Sequence, residues 1–162
     1  MGCNGGNRIL AWEFLQREGS VSELCLPFTS GEGSSSGYCP RTCSDRSQAF
    51  YKYYPNRERA VRRLVDFASI KKEIFTNGPV TGGMQTYDDM YLFQTGFYEP
   101  GRYARASDRH SIIIIGYGTE YGRNYFIIQN SWGTEWGDQG YFKLWADTCD
   151  ILSLVLAGDV NK

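Results

Sequence analysis

Residues 108–118 read D-R-H-S-I-I-I-I-G-Y-G, and residues 124–144 read N-Y-F-I-I-Q-N-S-W-G-T-E-W-G-D-Q-G-Y-F-K-L. The first segment holds His110, the single histidine of 162 residues. The second holds Asn130, followed at once by Ser131, Trp132 and Gly133. Both polar residues adjoin apolar runs, Ile112–Ile115 and Phe126–Ile128. Short β-branched or aromatic runs bounded by glycines read as buried strands. Successive strand residues point to opposite faces. His110, Ile112 and Ile114 therefore share one face, and Arg109 turns to solvent or to the rim of a cleft. Between Ser131 and Gly140, two tryptophans and three glycines predict a packed loop.

Working outward, residues 7–18 predict a helix with Leu10, Ala11, Phe14 and Leu15 on one face, Trp12 beside it and Gly19 as its stop. Residues 26–37 are Gly/Ser-rich and predict a flexible loop. Residues 44–63 predict a crossing segment and a strand. Ser69 is placed as the cap of a short helix, Ile70–Thr76, that stops at Asn77-Gly78. Strands are expected over Val80–Tyr87, Gly96–Tyr98 and, by its alternation, Ile151–Ala157.

With 17 basic and 18 acidic residues the charge is balanced, so neither nucleic acid nor another polyanion is indicated as a partner. No apolar run is long enough to span a bilayer, so no membrane role is expected. Neither a basic n-region nor an apolar h-region follows Met1, and no signal peptide is read.

H-S-I-I-I-I-G-Y-G and N-S-W-G-T-E-W-G-D-Q-G-Y-F-K-L are similar to the histidine and asparagine segments of papain-like cysteine proteases. G-C-N-G-G (Gly2–Gly6) resembles that family's substrate-cleft glycine motif, and N-G-P-V (Asn77–Val80) follows in the family's order. The alanine and tryptophan after the glycine motif, with the cysteine spacing, resemble the cathepsin B-like branch. The resemblance covers nearly the whole chain. It implies an α+β, papain-like two-lobe fold. Residues 1–75 would be the remainder of a left, helical lobe with the crossing segment. Residues 76–162 would be a complete right, β-barrel-like lobe.

The same resemblance assigns roles. A cysteine protease needs a thiolate, an imidazolium that stabilises it and later donates a proton, and a group that orients the imidazole. His110 is the expected acid/base and Asn130 the orienting group. Trp132 would cover their hydrogen bond and shape the leaving-group side of the cleft, whereas Trp136 reads as core. Gly5 and Gly6 would offer an unscreened backbone to an extended substrate. Leu154 falls where the branch places the base of its S2 pocket, implying an apolar P2 residue; a plain core leucine is the other reading. The short loop at 26–37 has no histidine, which implies endopeptidase rather than carboxypeptidase action. No metal or other cofactor is implied.

The nucleophile is expected about 130–150 residues before the histidine, and counting back from His110 passes residue 1. None of Cys25, Cys39, Cys43 or Cys149 has the flanking residues of that motif. The resemblance pairs Cys25 with Cys43, leaves Cys149 buried and free, and gives Cys3 and Cys39 partners beyond this sequence. The chain alone is thus expected to be inactive, supplying His and Asn but not Cys. Implied partners are a peptide or protein substrate, a separate N-terminal light segment and cystatin-like inhibitors; implied surroundings are lysosomal, vacuolar or secreted. The alternative is a catalytically inactive homologue that binds peptides or inhibitors.

Overall fold

The computed structural model describes residues 5–29, 39–56 and 61–159. Packing divides the chain into two compact units, residues 1–61 with 158–162, and residues 62–157.

The second unit is built on β1 (Arg62–Leu64), α2 (Phe67–Asn77), β2 (Val80–Tyr87), β3 (Phe97–Tyr98), β4 (Ala106–Glu120), β5 (Arg123–Gln129), β6 (Tyr141–Trp145) and β7 (Val155–Ala157). The seven strands form one mixed sheet in the order β1-β7-β2-β4-β5-β6-β3, with only β3–β6 parallel. β4 and β5 are joined by a two-residue hairpin, Tyr121-Gly122, with φ of 51° and 77°. Positive φ at both central residues matches the right-handed twist of the flanking strands, and glycine takes the second position without steric cost. Alternation then sorts the side chains. Ile112 and Ile114 of β4, Phe126 and Ile128 of β5, and Phe142 and Leu144 of β6 are buried on one face with Met84 of β2 and Ile70 of α2. Gly82 of β2 leaves room for its neighbour, since a Cβ there would lie 2.7 Å from Ile112 Cδ1.

The expected α+β class and the strand Val80–Tyr87 are observed, and two expectations need correction. The short helix begins earlier: Asp66, not Ser69, is the N-cap, and Ser69 is the third residue of a reciprocal capping box. α2 belongs to the second unit, its Ile70 fully buried in the sheet's core. The last strand is only Val155–Ala157, and all three residues are buried instead of alternating. Cys149 and Asp150 adopt φ of 53° and 56°. Turn bonds from Ile151 N–H to Thr148 O and from Ser153 N–H to Asp150 O hold residues 148–153 out of the ladder.

The first unit has little interior. α1 (Arg8–Glu18) is capped by Asn7, whose side chain accepts from the N–H groups of Ile9 and Leu10, and it ends at Gly19. No residue of α1 is buried. A bridge pairs Ser20 with Tyr53, and a disulfide joins Cys25 to Cys43, the pairing implied by the resemblance. The greater part of the expected loop at 26–37 lies outside the described residues. Among the described residues, no helix is long and apolar enough to cross a membrane.

Candidate active site

The β4–β5 ladder ends at the pair Ile113↔Gln129. His110 lies three residues before that end on β4, and Asn130 is the first residue after β5, so both project beyond the last paired rung. Their side chains meet: His110 Nε2 lies 2.8 Å from Asn130 Oδ1. The same oxygen accepts from the Ser131 backbone N–H at 2.8 Å. A backbone N–H can only donate, so the Asn130 amide presents its oxygen to both neighbours. His110 Nε2 must then carry a proton. The imidazole's other nitrogen, Nδ1, has no hydrogen-bond partner among the described residues and is the one left for chemistry. Asn130 is itself held by its backbone N–H, which donates to Gly140 O at 2.9 Å. Its Nδ2 is buried without a hydrogen-bond partner among the described residues.

Trp132 lies against the pair, its ring centroid 5.0 Å from that of His110. Two aromatics fix it in turn. Tyr91 stacks on it at 4.9 Å and 12°, and Trp136 meets it edge-on at 5.1 Å. Trp136 is buried and donates its Nε1–H to Met90 O at 3.0 Å, which agrees with a core role. An apolar cover keeps water from competing for the His–Asn hydrogen bond. Tyr91 has no signal in the sequence, because its partner is 41 positions away on another element.

Arg109 points away from His110, as strand alternation requires. Its guanidinium pairs with Asp150 at 2.6 Å and donates to Ser153 Oγ at 3.1 Å. Leu154, the next residue, is half-buried just before β7. Gly5 and Gly6 belong to the first unit, directly before α1. Both are exposed, and no heavy atom lies within 4 Å of where a Cβ would stand, so their backbone is open. The structure therefore brings His110, Asn130 and Trp132 together in one unit.

The cysteines take other roles. Cys25 and Cys43 are joined, and Cys39 is an exposed thiol of the first unit. Burial, with the nearby Asp89 carboxylate, pushes the Cys149 thiol up to about 12. It stays protonated at neutral pH and is inert as a nucleophile. Among the described residues, no group of three or more His, Cys, Asp or Glu side chains is placed to hold a metal ion.

A strand-borne histidine locked to an asparagine under a tryptophan, on a sheet of this topology, defines a family. The model of papain family cysteine proteases matches residues 1–158, and the chain belongs to that family. Within it the similarity is to the cathepsin B-like branch. A cathepsin B-like CP3 of Giardia intestinalis is 34% identical over 161 residues, covering 98% of this chain and 53% of that protein. The cathepsin B of Dictyostelium discoideum is 30% identical over 167 residues, covering 97% and 53%. The solved structure of a procathepsin B from Trypanosoma congolense superposes with a TM-score of 0.87 at 27% identity, covering 99% of this chain and 55% of that one. The chain thus spans about half the length of the relatives it matches.

Proposed function

We propose that this chain supplies the acid/base half of a cathepsin B-like cysteine endopeptidase. The observation that carries the reading is the 2.8 Å His110 Nε2···Asn130 Oδ1 bond, with the amide oriented by the Ser131 N–H. The thiolate comes from a cysteine outside these 162 residues. Among the described cysteines, Cys25 and Cys43 are joined, Cys149 is held protonated, and Cys39 lacks the nucleophile's flanking residues.

The chemistry is acyl transfer. The thiolate attacks the scissile carbonyl carbon, forming the C–S bond. His110, as imidazolium, gives its Nδ1 proton to the departing amine as the C–N bond breaks. Neutral His110 then takes a proton from water at Nδ1, and the hydroxide so generated cleaves the thioester. Asn130 keeps the ring in register throughout, and Trp132 walls the leaving-group side. Gly5 and Gly6 offer backbone groups to an extended peptide, and Leu154 favours an apolar P2 residue. Substrates are peptides or proteins in the lysosomal, vacuolar or secreted setting, and cystatin-like proteins are the expected inhibitors.

The test is complementation. The purified chain is mixed with the nucleophile-bearing N-terminal segment of a cathepsin B-like relative, and the complex is isolated by size. The complex should hydrolyse a fluorogenic peptide amide, and His110→Ala should abolish the activity. The chain alone should not. An isolated complex that binds peptide but never cleaves it would favour the alternative, an inactive peptide-binding homologue.

A further inference from the structure

The strand that presents His110 is irregular just before the histidine. β2 and β4 pair in register from Val80↔Ile114 through Met84↔His110 to Gln85↔Arg109, and the next pair is Tyr87↔Ala106. Two residues of β4, Ser107 and Asp108, thus face the single residue Thr86 of β2. This is a β-bulge, a device that re-aims side chains and recurs beside active sites. A bulge leaves ladder groups without backbone partners, and here two side chains of β2 satisfy them. Thr86 Oγ1 donates to Asp108 O at 2.6 Å. Gln85 Nε2 donates to Ser107 O at 3.1 Å, to Asp108 O at 3.3 Å and to Thr86 O at 3.0 Å. Thr86 is only 3% exposed, and no other Ser, Thr, amide or charged residue is buried to that degree among the described residues.

On the other side the ladder to β5 stops at Ile113, so His110 extends three residues past it. The described contacts of the imidazole there are the Asn130 bond and the Trp132 ring. The backbone just ahead of His110 is thus held from β2.

We propose that Thr86, assisted by Gln85, is a positioning residue for His110: its hydroxyl pins the Asp108 carbonyl and so fixes the bulge that turns the imidazole toward Asn130. The proposal rests on His110 and Asn130 being the acid/base pair, but its test does not depend on peptidase activity. The valine side chain copies the shape of threonine without the hydroxyl, so Thr86→Val removes the anchor alone. Thr86→Ser keeps the donor.

Since His110 is the single histidine, its Nε2-bound proton can be followed without ambiguity by 15N-edited NMR of the intact chain. In the wild type this proton should be protected from exchange with water. Thr86→Val should speed its exchange about tenfold, the loss expected for one weakened hydrogen bond. Amide exchange at Ile114 and Phe126 should stay unchanged. Thr86→Ser should restore protection, and Gln85→Met should give a smaller loss than Thr86→Val. Asn130→Ala is the control that removes the acceptor. Loss of protection in Asn130→Ala but not in Thr86→Val overturns the proposal, as does a Thr86→Ser variant that behaves like Thr86→Val. Loss in neither variant overturns the His110–Asn130 pairing itself, and the anchoring with it.

Discussion

The two units bury their apolar residues very differently. In residues 62–157, Ile70, Met84, Ile114, Phe126, Ile128 and Leu144 all lose essentially all contact with water. In the first unit, no residue of α1 is fully buried, and Ile9, Leu10 and Phe14 remain 43%, 57% and 47% exposed. Leu24 and Phe28, farther on, are 80% and 72% exposed. Its described ties include the Asn7 cap, the Ser20–Tyr53 bridge, the Cys25–Cys43 disulfide, and bonds from Lys52 Nζ to Glu18 O and from Asn56 N–H to Asp159 O. The His110–Asn130 pair lies in the unit with a core, where burial can hold side chains to tight tolerances. The glycines expected to meet substrate lie in the unit without one.

Among the described residues, the free thiols of Cys39 and Cys149 give the largest contrast. Cys39 is exposed, whereas burial pushes Cys149 from 9.0 up to about 12. Three pH units correspond to about a thousandfold less thiolate at a given pH. Iodoacetamide at pH 8 should label Cys39 and spare Cys149, as read by peptide mass mapping. Equal labelling would mean that the sheet unit opens as readily as the first. The sign of the linked stability follows. The folded value lies above the unfolded one, so the buried thiol's contribution is intact below about pH 8.5 and declines as the pH rises past it.

Substitutions sharpen the same contrast. Phe126→Ala removes a fully buried ring and should cost about 3–5 kcal/mol. Leu10→Ala on α1 should change stability by less than about 0.5 kcal/mol, because little area is returned to water. Urea unfolding of both variants gives the comparison, and similar losses would show that α1 is covered in solution. Next in size is the disulfide. Cys25→Ser with Cys43→Ser should cost the first unit roughly 3 kcal/mol, the entropy of a loop of this length. Hydrogen exchange should rise over residues 5–29 and 39–56 and remain unchanged at Ile114 and Ile128.

What could be read beforehand did not follow the division into units. Alternation put His110 on one face with Ile112 and Ile114, and the resemblance of the flanking motifs singled out His110 and Asn130, which the structure brings to 2.8 Å. The Thr86 anchor was not legible, since it joins residues 22 positions apart across a bulge that neither strand announces. The end of the chain was misread for a different reason. I-L-S-L-V-L-A alternates like a strand, but the turn before it relies on positive φ at Cys149 and Asp150, which no glycine marks. For α1 the helix and its stop at Gly19 were readable, though Asn7 is its cap and not its first residue; its apolar face gave no warning that it would stay exposed, because periodicity reports an apolar side and not what covers it.

The start of α2 provides the smallest effect and a test of capping independent of burial. Ser69 was the expected cap, and Asp66 holds that position. Its side chain accepts from the Ser69 N–H at 2.7 Å, while the Ser69 hydroxyl accepts from the Asp66 N–H at 3.3 Å. Those bonds from Ser69 hold the Asp66 carboxyl below its usual value. A lowered folded value means that the ionised cap stabilises the protein above the unfolded value of about 3.9. That contribution is lost as the pH falls through the folded value. Asp66→Asn keeps a side-chain oxygen to accept the bond and removes the charge. It should therefore flatten this part of the acid limb while costing little at pH 7. Urea midpoints of the two proteins between pH 2 and pH 7 make the comparison. Identical acid limbs would mean that Asp66 caps through geometry alone, and that its charge does nothing for the helix that carries Ile70 into the core.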